Sequence, residues 1–255
     1  MNSVADRQKR IEAMLPAEVA ALHIYRETDS TNTRARAYAT DGGCVPALFI
    51  ADSQTAGRGR TGKSFYSPKD TGLYASLLLA AEPGSAVYMT PAAAVAVRRA
   101  AERVTGISTD IKWVNDLYLC GKKVAGILCE SLFVGNKGYV IIGFGVNIST
   151  SEFPSDISCT AASLGLVGNT HVKDDLAVAC TEELLEVWKS GLTPELIGEY
   201  KHHSAVLGQT VRFCENGVWH EGVTLDIDSE GRLTVRMNDG SKKTLSSGEI
   251  SVRLI

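Results

Sequence analysis

The residues best suited to chemistry lie in a basic, glycine-rich segment between positions 51 and 68. Flexible and cationic positions alternate along it: Gly57, Arg58, Gly59, Arg60, Gly62 and Lys63. Backbone amides together with guanidinium groups bind a phosphate, or the junction between a phosphate and a carboxylate. The other interpretation is a solvated basic loop, and composition alone does not decide between the two.

The same glycines follow a strand-like run and match the GxGxxG pattern of dinucleotide-binding folds. That fold requires a helix directly behind the third glycine, whereas here residues 63–67 run into Pro68, so this segment cannot start a long helix. Position 79, where an acidic residue would be expected, lies in a run of leucines. The sequence therefore disfavours a dinucleotide-dependent oxidoreductase.

Two further segments place polar residues in apolar surroundings. Lys112, Asn115 and Asp116 interrupt strand-like sequence, where packing alone would disfavour them. Gly126 lies within a strand pattern, which indicates close approach of backbone or ligand. Residues 143–147 (GFGVN) end another strand with two glycines and an amide. The simpler interpretations are a hairpin with solvated lysines and a bulge followed by a cap.

Strand and helix signals surround these segments. Strand-like runs are predicted at 22–26, 46–52, 72–80, 110–119, 123–132 and 138–148. Helices are predicted over 7–15, 33–40, 90–105, 174–190 and 193–203. The helix over 90–105 has the clearest start, because Thr90 is a suitable N-cap and Pro91 suits the first helical position.

The end of the chain has a different pattern. From about Leu207, short strands alternate with turn signals such as Asn238-Asp239-Gly240 at intervals of about ten residues. This spacing predicts a small β-barrel of roughly 50 residues.

Composition sets broad limits on the protein. The chain has 255 residues, and 26 Lys and Arg against 29 Asp and Glu give a net charge of −3, which argues against general affinity for nucleic acid. Six scattered cysteines include no CxxC pair, so neither a zinc ribbon nor a thioredoxin-type site is predicted. The first residues lack the apolar core of a signal peptide, and no apolar run approaches membrane-spanning length. We therefore expect a cytoplasmic protein that does not bind membranes.

Taken together, the segments resemble the biotin–protein ligases. The shared motifs are Thr28-Asp-Ser-Thr-Asn32, Gln54-Thr-Ala-Gly-Arg-Gly-Arg60, Lys112-Trp-Val-Asn-Asp116, Lys123-Val-Ala-Gly-Ile127 and Gly143-Phe-Gly-Val-Asn147. They follow the family's order and spacing over residues 22–148, and the β-rich tail agrees with the family's C-terminal domain. The sequence departs from the family pattern at Val114, where proline is usual, and at Phe65, where tryptophan is frequent.

The resemblance implies an α+β protein of two domains. Residues 1–205 would form a catalytic domain with a mixed β-sheet, the biotin–lipoate ligase fold related to class II aminoacyl-tRNA synthetases. Residues 206–255 would form a small SH3-like β-barrel. The residues before the first core strand are too few for the winged-helix DNA-binding domain of many bacterial members, so a ligase-only type that does not bind DNA is expected.

The resemblance also implies the reaction. Biotin and ATP, which carries Mg²⁺ on its phosphates, would form biotinyl-5′-AMP and pyrophosphate, without a tightly bound cofactor. The biotinyl group would then pass to a lysine in the biotin carboxyl carrier domain of a carboxylase. Because a carboxylate meets a triphosphate in the first step, positive charge must lie at their junction.

Site residues follow from the motifs by position. The resemblance assigns catalysis to Lys123 and Arg60, with Lys122 as a solvated neighbour. It assigns biotin to Ser30, Thr31, Gln54, Gly57, Arg58, Gly59, Lys123 and Gly126. It assigns ATP and the adenylate to Arg58, Arg60, Phe65, Lys112, Asn115, Asp116 and Asn147, and it leaves the metal ligands unassigned.

Some of these assignments have simpler alternatives. From the sequence alone, Ser30 and Thr31 are better explained as helix N-caps, and Phe65 as a local packing anchor. A lipoate–protein ligase, or a catalytically silent nucleotide-binding module on the same scaffold, are the rival functions. Gln54 with the Gly-Arg-Gly-Arg loop favours biotin, because lipoate has no urea group to satisfy. Whether the chain forms a homodimer stays open.

Overall fold

The structure, a computed structural model, describes residues 4–82, 85–168, 171–215, 217–246 and 251–254. Within these ranges, seven strands form one sheet and five strands form a second. Helices pack on the first sheet, so the predicted α+β class with a mixed sheet is confirmed.

The seven-stranded sheet supplies the frame of the molecule. Its strands are β1 (Ala21–Tyr25), β2 (Ala47–Ala51), β3 (Gly72–Ala80), β4 (Asp110–Lys112), β5 (Asp116–Leu119), β6 (Lys122–Val134) and β7 (Lys137–Asn147). They lie in the order β1-β2-β3-β7-β6-β5-β4, with β1 parallel to β2 and every other neighbouring pair antiparallel. The predicted strand over 110–119 is thus divided, because the chain turns at Trp113-Val114-Asn115 between β4 and β5.

Helices cover the sheet, and the third begins five residues earlier than predicted. They are α1 (Val4–Met14), α2 (Thr31–Thr40), α3 (Ser85–Thr105), α4 (Val172–Ser190) and α5 (Pro194–His202). The prediction that Thr90 caps α3 is wrong, because Thr90 and Pro91 lie inside the helix. Proline has no N–H for an internal helical bond, but here its ring lies beside Gly231, so tertiary packing overrides the local signal.

The second sheet is antiparallel and formed by the end of the chain. Its strands are β8 (Thr210–Glu215), β9 (Val218–Ile227), β10 (Leu233–Met237), β11 (Lys242–Leu245) and β12 (Ser251–Leu254). They lie in the order β11-β10-β9-β8-β12. The predicted domain boundary between 205 and 206 falls in the connection between α5 and β8, and it stays a prediction.

None of the helices in the described ranges has the length and apolar composition that crossing a lipid bilayer requires.

His23 on β1 makes the fold sensitive to pH. Its ring stacks on Phe49 at 4.9 Å and meets Tyr38 edge-on at 4.8 Å. Its buried Nε2 atom has no hydrogen-bond partner among the described residues. Burial therefore lowers the pKa of the imidazole from its ordinary value of 6.5.

A histidine whose folded-state pKa is lowered binds protons more weakly in the folded state than in the unfolded state. We therefore expect the free energy of unfolding to fall as the pH drops below 6.5. His23→Phe should flatten this pH dependence relative to the wild type. Urea titrations between pH 7.5 and 5.5 measure it, and equal slopes for His23→Phe and the wild type would contradict the assignment.

Candidate active site

A pocket opens on the seven-stranded sheet beneath the glycine-rich segment. Its walls come from the start of α2, the segment 54–65, the β4–β5 turn and the middle of β6 and β7. Most predicted site residues line it: Ser30, Thr31, Gln54, Arg58, Gly59, Arg60, Phe65, Lys112, Asn115, Asp116, Lys123 and Gly126. Segments that are far apart in sequence therefore meet at one place.

Two predicted site residues are not among those that line the pocket. Gly57 lies behind it, where a Cβ atom would come within 2.3 Å of the Phe65 carbonyl oxygen. Asn147 lies at the end of β7, and its Nδ2 atom donates to the Ala162 carbonyl oxygen at 3.0 Å. Its Oδ1 atom is buried without a partner in the described part of the chain.

One end of the pocket is neutral and polar. Gln54 Oε1 accepts a hydrogen bond from the Thr31 backbone N–H at 2.8 Å, so the first turn of α2 is satisfied from outside the helix. Ser30 occupies the N-cap position, but within the described residues its side chain makes no capping hydrogen bond. The capping role that the sequence favoured for the Ser30 hydroxyl is therefore not adopted, and this buried hydroxyl lines the pocket.

The Gln54 carboxamide has a fixed orientation. Its oxygen is used by Thr31, while its Nε2 atom donates to Ser67 Oγ at 2.9 Å. An amide nitrogen carries two hydrogens, so one N–H of Gln54 stays available to the pocket. Gln54 therefore offers a donor, which suits a ligand carbonyl oxygen.

The other end of the pocket is cationic. Lys123 Nζ donates to Asp116 Oδ1 at 2.6 Å, and Arg60 Nη1 donates to Asn115 Oδ1 at 3.1 Å. Lys112 Nζ donates to the Tyr118 hydroxyl at 3.0 Å. Each cation is thus held at a defined place by a neighbouring side chain, on the β4–β5 hairpin or beside it.

Charge is unevenly distributed along the lining. Among the described residues, the lining holds five cations and one carboxylate: Arg58, Arg60, Lys63, Lys112 and Lys123 against Asp116. Burial lowers the pKa of the Arg60 guanidinium from its ordinary value, and the nearby Asp116 carboxylate opposes that shift. An anion in the pocket would therefore be stabilised by charges that are already in position.

Three glycines leave space on the sheet at the floor of the pocket, where a Cβ atom would clash. A Cβ at Gly143 would come within 2.1 Å of Asn32 Oδ1, and one at Gly145 within 2.5 Å of the Phe65 ring. Gly126, the register partner of Gly145, would bring a Cβ within 2.9 Å of Lys123 Nζ. The GFG sequence therefore makes room for two side chains, and the simpler interpretation as a bulge is wrong, since β7 pairs with β3 and β6 through this stretch without a shift.

Three residues around the site had no role assigned from the sequence. Asn32 ends one of the shared motifs and lines the pocket, Ser76 is buried in the apolar run of β3, and Glu130 lies on β6. Glu130 forms an ion pair with Arg58 at 2.9 Å. The signal available for Ser76 was a single hydroxyl in an otherwise apolar strand, a position where a buried polar atom requires a partner.

Two long-range hydrogen bonds fix the β4–β5 turn from behind. Trp113 Nε1 donates to the Gly231 carbonyl oxygen at 2.9 Å, in the turn between β9 and β10. The Tyr200 hydroxyl, on α5, donates to the Val114 carbonyl oxygen at 3.1 Å. The turn that carries Asn115 and Asp116 is therefore positioned by elements from the second half of the chain.

Comparison with known proteins gives two family matches. Residues 25–147 match the model of the biotin/lipoate A/B protein ligase family, and residues 206–253 match the biotin protein ligase C-terminal domain.

Individual relatives agree with these matches. The Bifunctional ligase/repressor BirA of Bacillus subtilis is 33% identical, over 94% of this chain and 77% of that protein. The Biotin–[acetyl-CoA-carboxylase] ligase of Mycobacterium tuberculosis is 28% identical, over 90% of this chain and 88% of that protein. A biotin protein ligase from Aquifex aeolicus, solved in complex with biotin and ATP, superposes with a TM-score of 0.78 at 27% identity, over 92% of this chain and all of that one.

The glycine positions give a direct test of the site's construction. In Gly143→Ala the new methyl group meets Asn32, which cannot move without leaving buried polar atoms unpaired, so we expect a loss of about 1–3 kcal/mol in unfolding free energy. Gly198→Ala in α5 is the matched control, because within the described structure no atom lies within 4 Å of its Cβ position. It should leave stability unchanged or raise it by up to about 1 kcal/mol. Urea unfolding measures both, and wild-type stability of Gly143→Ala would contradict the packing argument.

Proposed function

We propose that this chain, which belongs to the biotin/lipoate A/B protein ligase family, is an ATP-dependent biotin–protein ligase. It joins the carboxylate of biotin to the α-phosphate of ATP and releases pyrophosphate. It then transfers the biotinyl group to a lysine amine of an acceptor protein, and AMP leaves.

The observation that carries this proposal is the division of one pocket into two chemically different ends. Ser30, Thr31 and Gln54 form a neutral end with hydrogen-bonding groups, which suits a buried urea. The cations around Lys123 and Arg60 form the other end, which suits a carboxylate beside phosphates. Biotin joined to AMP has these two ends, whereas lipoate has no urea for the first.

The first step needs positive charge where two anions meet. We assign Lys123 to the reaction centre, where its ammonium stabilises charge on the biotin carboxylate and the α-phosphate. Arg58, Arg60 and Lys112 share the charge of the phosphates. Asp116 holds Lys123 by its ion pair at 2.6 Å, so the ammonium is in position before substrate arrives.

Magnesium enters with ATP as part of the substrate. In the described residues, no cluster of three or more histidine, cysteine or carboxylate side chains could hold a metal alone. Asp116 is the single carboxylate of the described pocket lining, so we propose that the phosphates supply most of the ligands and that Asn115 and Asp116 orient them.

We assign the adenine ring to Phe65 and Asn147. The ring of Phe65 lies against the sheet beside Gly126 and Gly145, and its aromatic face suits stacking on a purine. The assignment of Asn147 rests on the family motif, because this residue does not line the pocket and its Oδ1 atom, unpartnered among the described residues, is buried.

The acceptor is a biotin carboxyl carrier domain. The name of the relative from Mycobacterium tuberculosis, which specifies acetyl-CoA carboxylase, supports this class of partner. Until the acceptor lysine arrives, the adenylate must be kept from water, and we assign that role to the segment around Gly59 and Arg60, which covers the pocket.

Exchange of labelled pyrophosphate into ATP tests the function. We expect exchange that depends on biotin, and exchange with lipoate instead would replace the proposal by a lipoate–protein ligase. Absence of exchange with either acid would indicate a catalytically silent module.

The same assay tests the reaction centre. Lys123→Ala should abolish biotin-dependent exchange, because it removes the ammonium that Asp116 holds by an ion pair at 2.6 Å. Lys122→Ala is the matched control, since this neighbouring lysine is exposed and does not line the pocket, and it should exchange like the wild type. Comparable losses in the two variants would refute the assignment of Lys123.

A further inference from the structure

A buried chain of hydrogen bonds runs beneath the neutral end of the pocket. Asn32 Nδ2 donates to Glu130 Oε2 at 2.7 Å. Ser76 Oγ lies 2.6 Å from Asn32 Oδ1 and 2.7 Å from Thr31 Oγ1. Ser76 is fully buried, and Thr31 and Asn32 are 3% and 4% exposed, so Ser76 must find its hydrogen-bond partners within the protein.

The donor and acceptor groups fix the direction of each hydrogen bond in this series. A carboxylate only accepts, so the amide nitrogen of Asn32 must face Glu130 and the amide oxygen must face Ser76. That oxygen also only accepts, so the single hydroxyl hydrogen of Ser76 is drawn to it. Ser76 Oγ then has a lone pair free for Thr31.

The hydroxyl of Thr31 is therefore used inside the protein. Its hydrogen lies towards Ser76 Oγ, because two oxygens 2.7 Å apart need a hydrogen between them. Gln54 Oε1 is farther away, at 3.2 Å, and already accepts from the Thr31 backbone N–H. Thr31 Oγ1 then turns a lone pair towards the pocket. A ligand group beside it must then be a donor.

Glu130 is well placed to impose this direction. Its side chain is 15% exposed, and it forms ion pairs with Arg58 at 2.9 Å and with Arg36 at 3.4 Å. One carboxylate thus fixes both the Asn32 amide and the arginine of the glycine-rich segment. Arg36 lies outside the pocket lining, so the pairing does not depend on ligand.

We propose that Glu130, Asn32 and Ser76 are positioning residues that keep Thr31 Oγ1 an acceptor for a urea N–H of biotin. The inference rests on the proposed function. Gln54 presents a donor and Thr31 an acceptor, so together they select a ligand that carries a carbonyl oxygen and an N–H side by side.

Calorimetry with ligand analogues tests the role of this series of hydrogen bonds. The probes are biotin and two cyclic carbamates, each with one ring nitrogen of the urea replaced by oxygen, which removes one N–H. The wild type should bind biotin and disfavour one carbamate by about tenfold or more, the effect of one unmade hydrogen bond. Failure of the wild type to bind biotin would refute the proposed function itself.

Two substitutions interrupt this series of hydrogen bonds without adding side-chain volume. Glu130→Gln can offer a donor to Asn32, which lets the amide and the hydroxyls reverse, and Ser76→Ala removes the central hydroxyl. Each should weaken biotin binding about tenfold and reduce the preference over that carbamate about fivefold or more. Thr181→Ala is the control, because it removes an equally buried hydroxyl in α4, and it should keep both values.

Loss of stability alone would not change a preference between two ligands of the same shape. The proposal is overturned if the wild type binds biotin without preferring it to either carbamate. It is also overturned if Glu130→Gln and Ser76→Ala keep the wild-type preference, or if Thr181→Ala loses it equally.

Discussion

The site depends on three glycines of the central sheet, whose missing side chains leave space above the strands. Gly126, Gly143 and Gly145 lie on neighbouring strands, and each leaves room that a single methyl group would fill. Asn32 and Phe65 occupy the room above Gly143 and Gly145. Because these two side chains belong to α2 and to the glycine-rich segment, this space lets both elements approach the sheet closely enough to enclose a ligand.

The cationic end depends on a second constraint, which acts from the opposite side. Hydrogen bonds from Trp113 to Gly231 and from Tyr200 to Val114 hold the β4–β5 turn. Both are buried, so breaking either would leave polar atoms unpaired. The C-terminal sheet and α5 therefore help to position Asn115 and Asp116.

The sequence predicted the limits of elements that depend on local signals. It did not predict features that depend on packing against residues distant in sequence. The strand over 72–80 has the predicted limits, because a continuous apolar run between polar segments has few other solutions. The start of α3 was misplaced, since Pro91 is a strong local signal that packing against Gly231 overrides. Asn32 and Ser76 could not be assigned, because each matters only through partners that are distant in sequence, such as Glu130 and Thr31. Biotin specificity came from motif resemblance, and the residues alone supported no more than an anion site.

One short segment, residues 54–60, contributes to both ends of the pocket, so its position affects both ends at once. Gln54 belongs to the neutral end, and Arg58 and Arg60, which follow it within six residues, add positive charge to the lining. Arg58 is tied through Glu130 to Asn32, and Arg60 is tied to Asn115, so the segment bridges both walls of the pocket. Under the proposed function, opening this segment would release Arg58 and Arg60 from these partners. Closing it over biotin would then bring Gln54 and the two arginines into place in the same movement, which would couple binding of the acid to the anhydride-forming step.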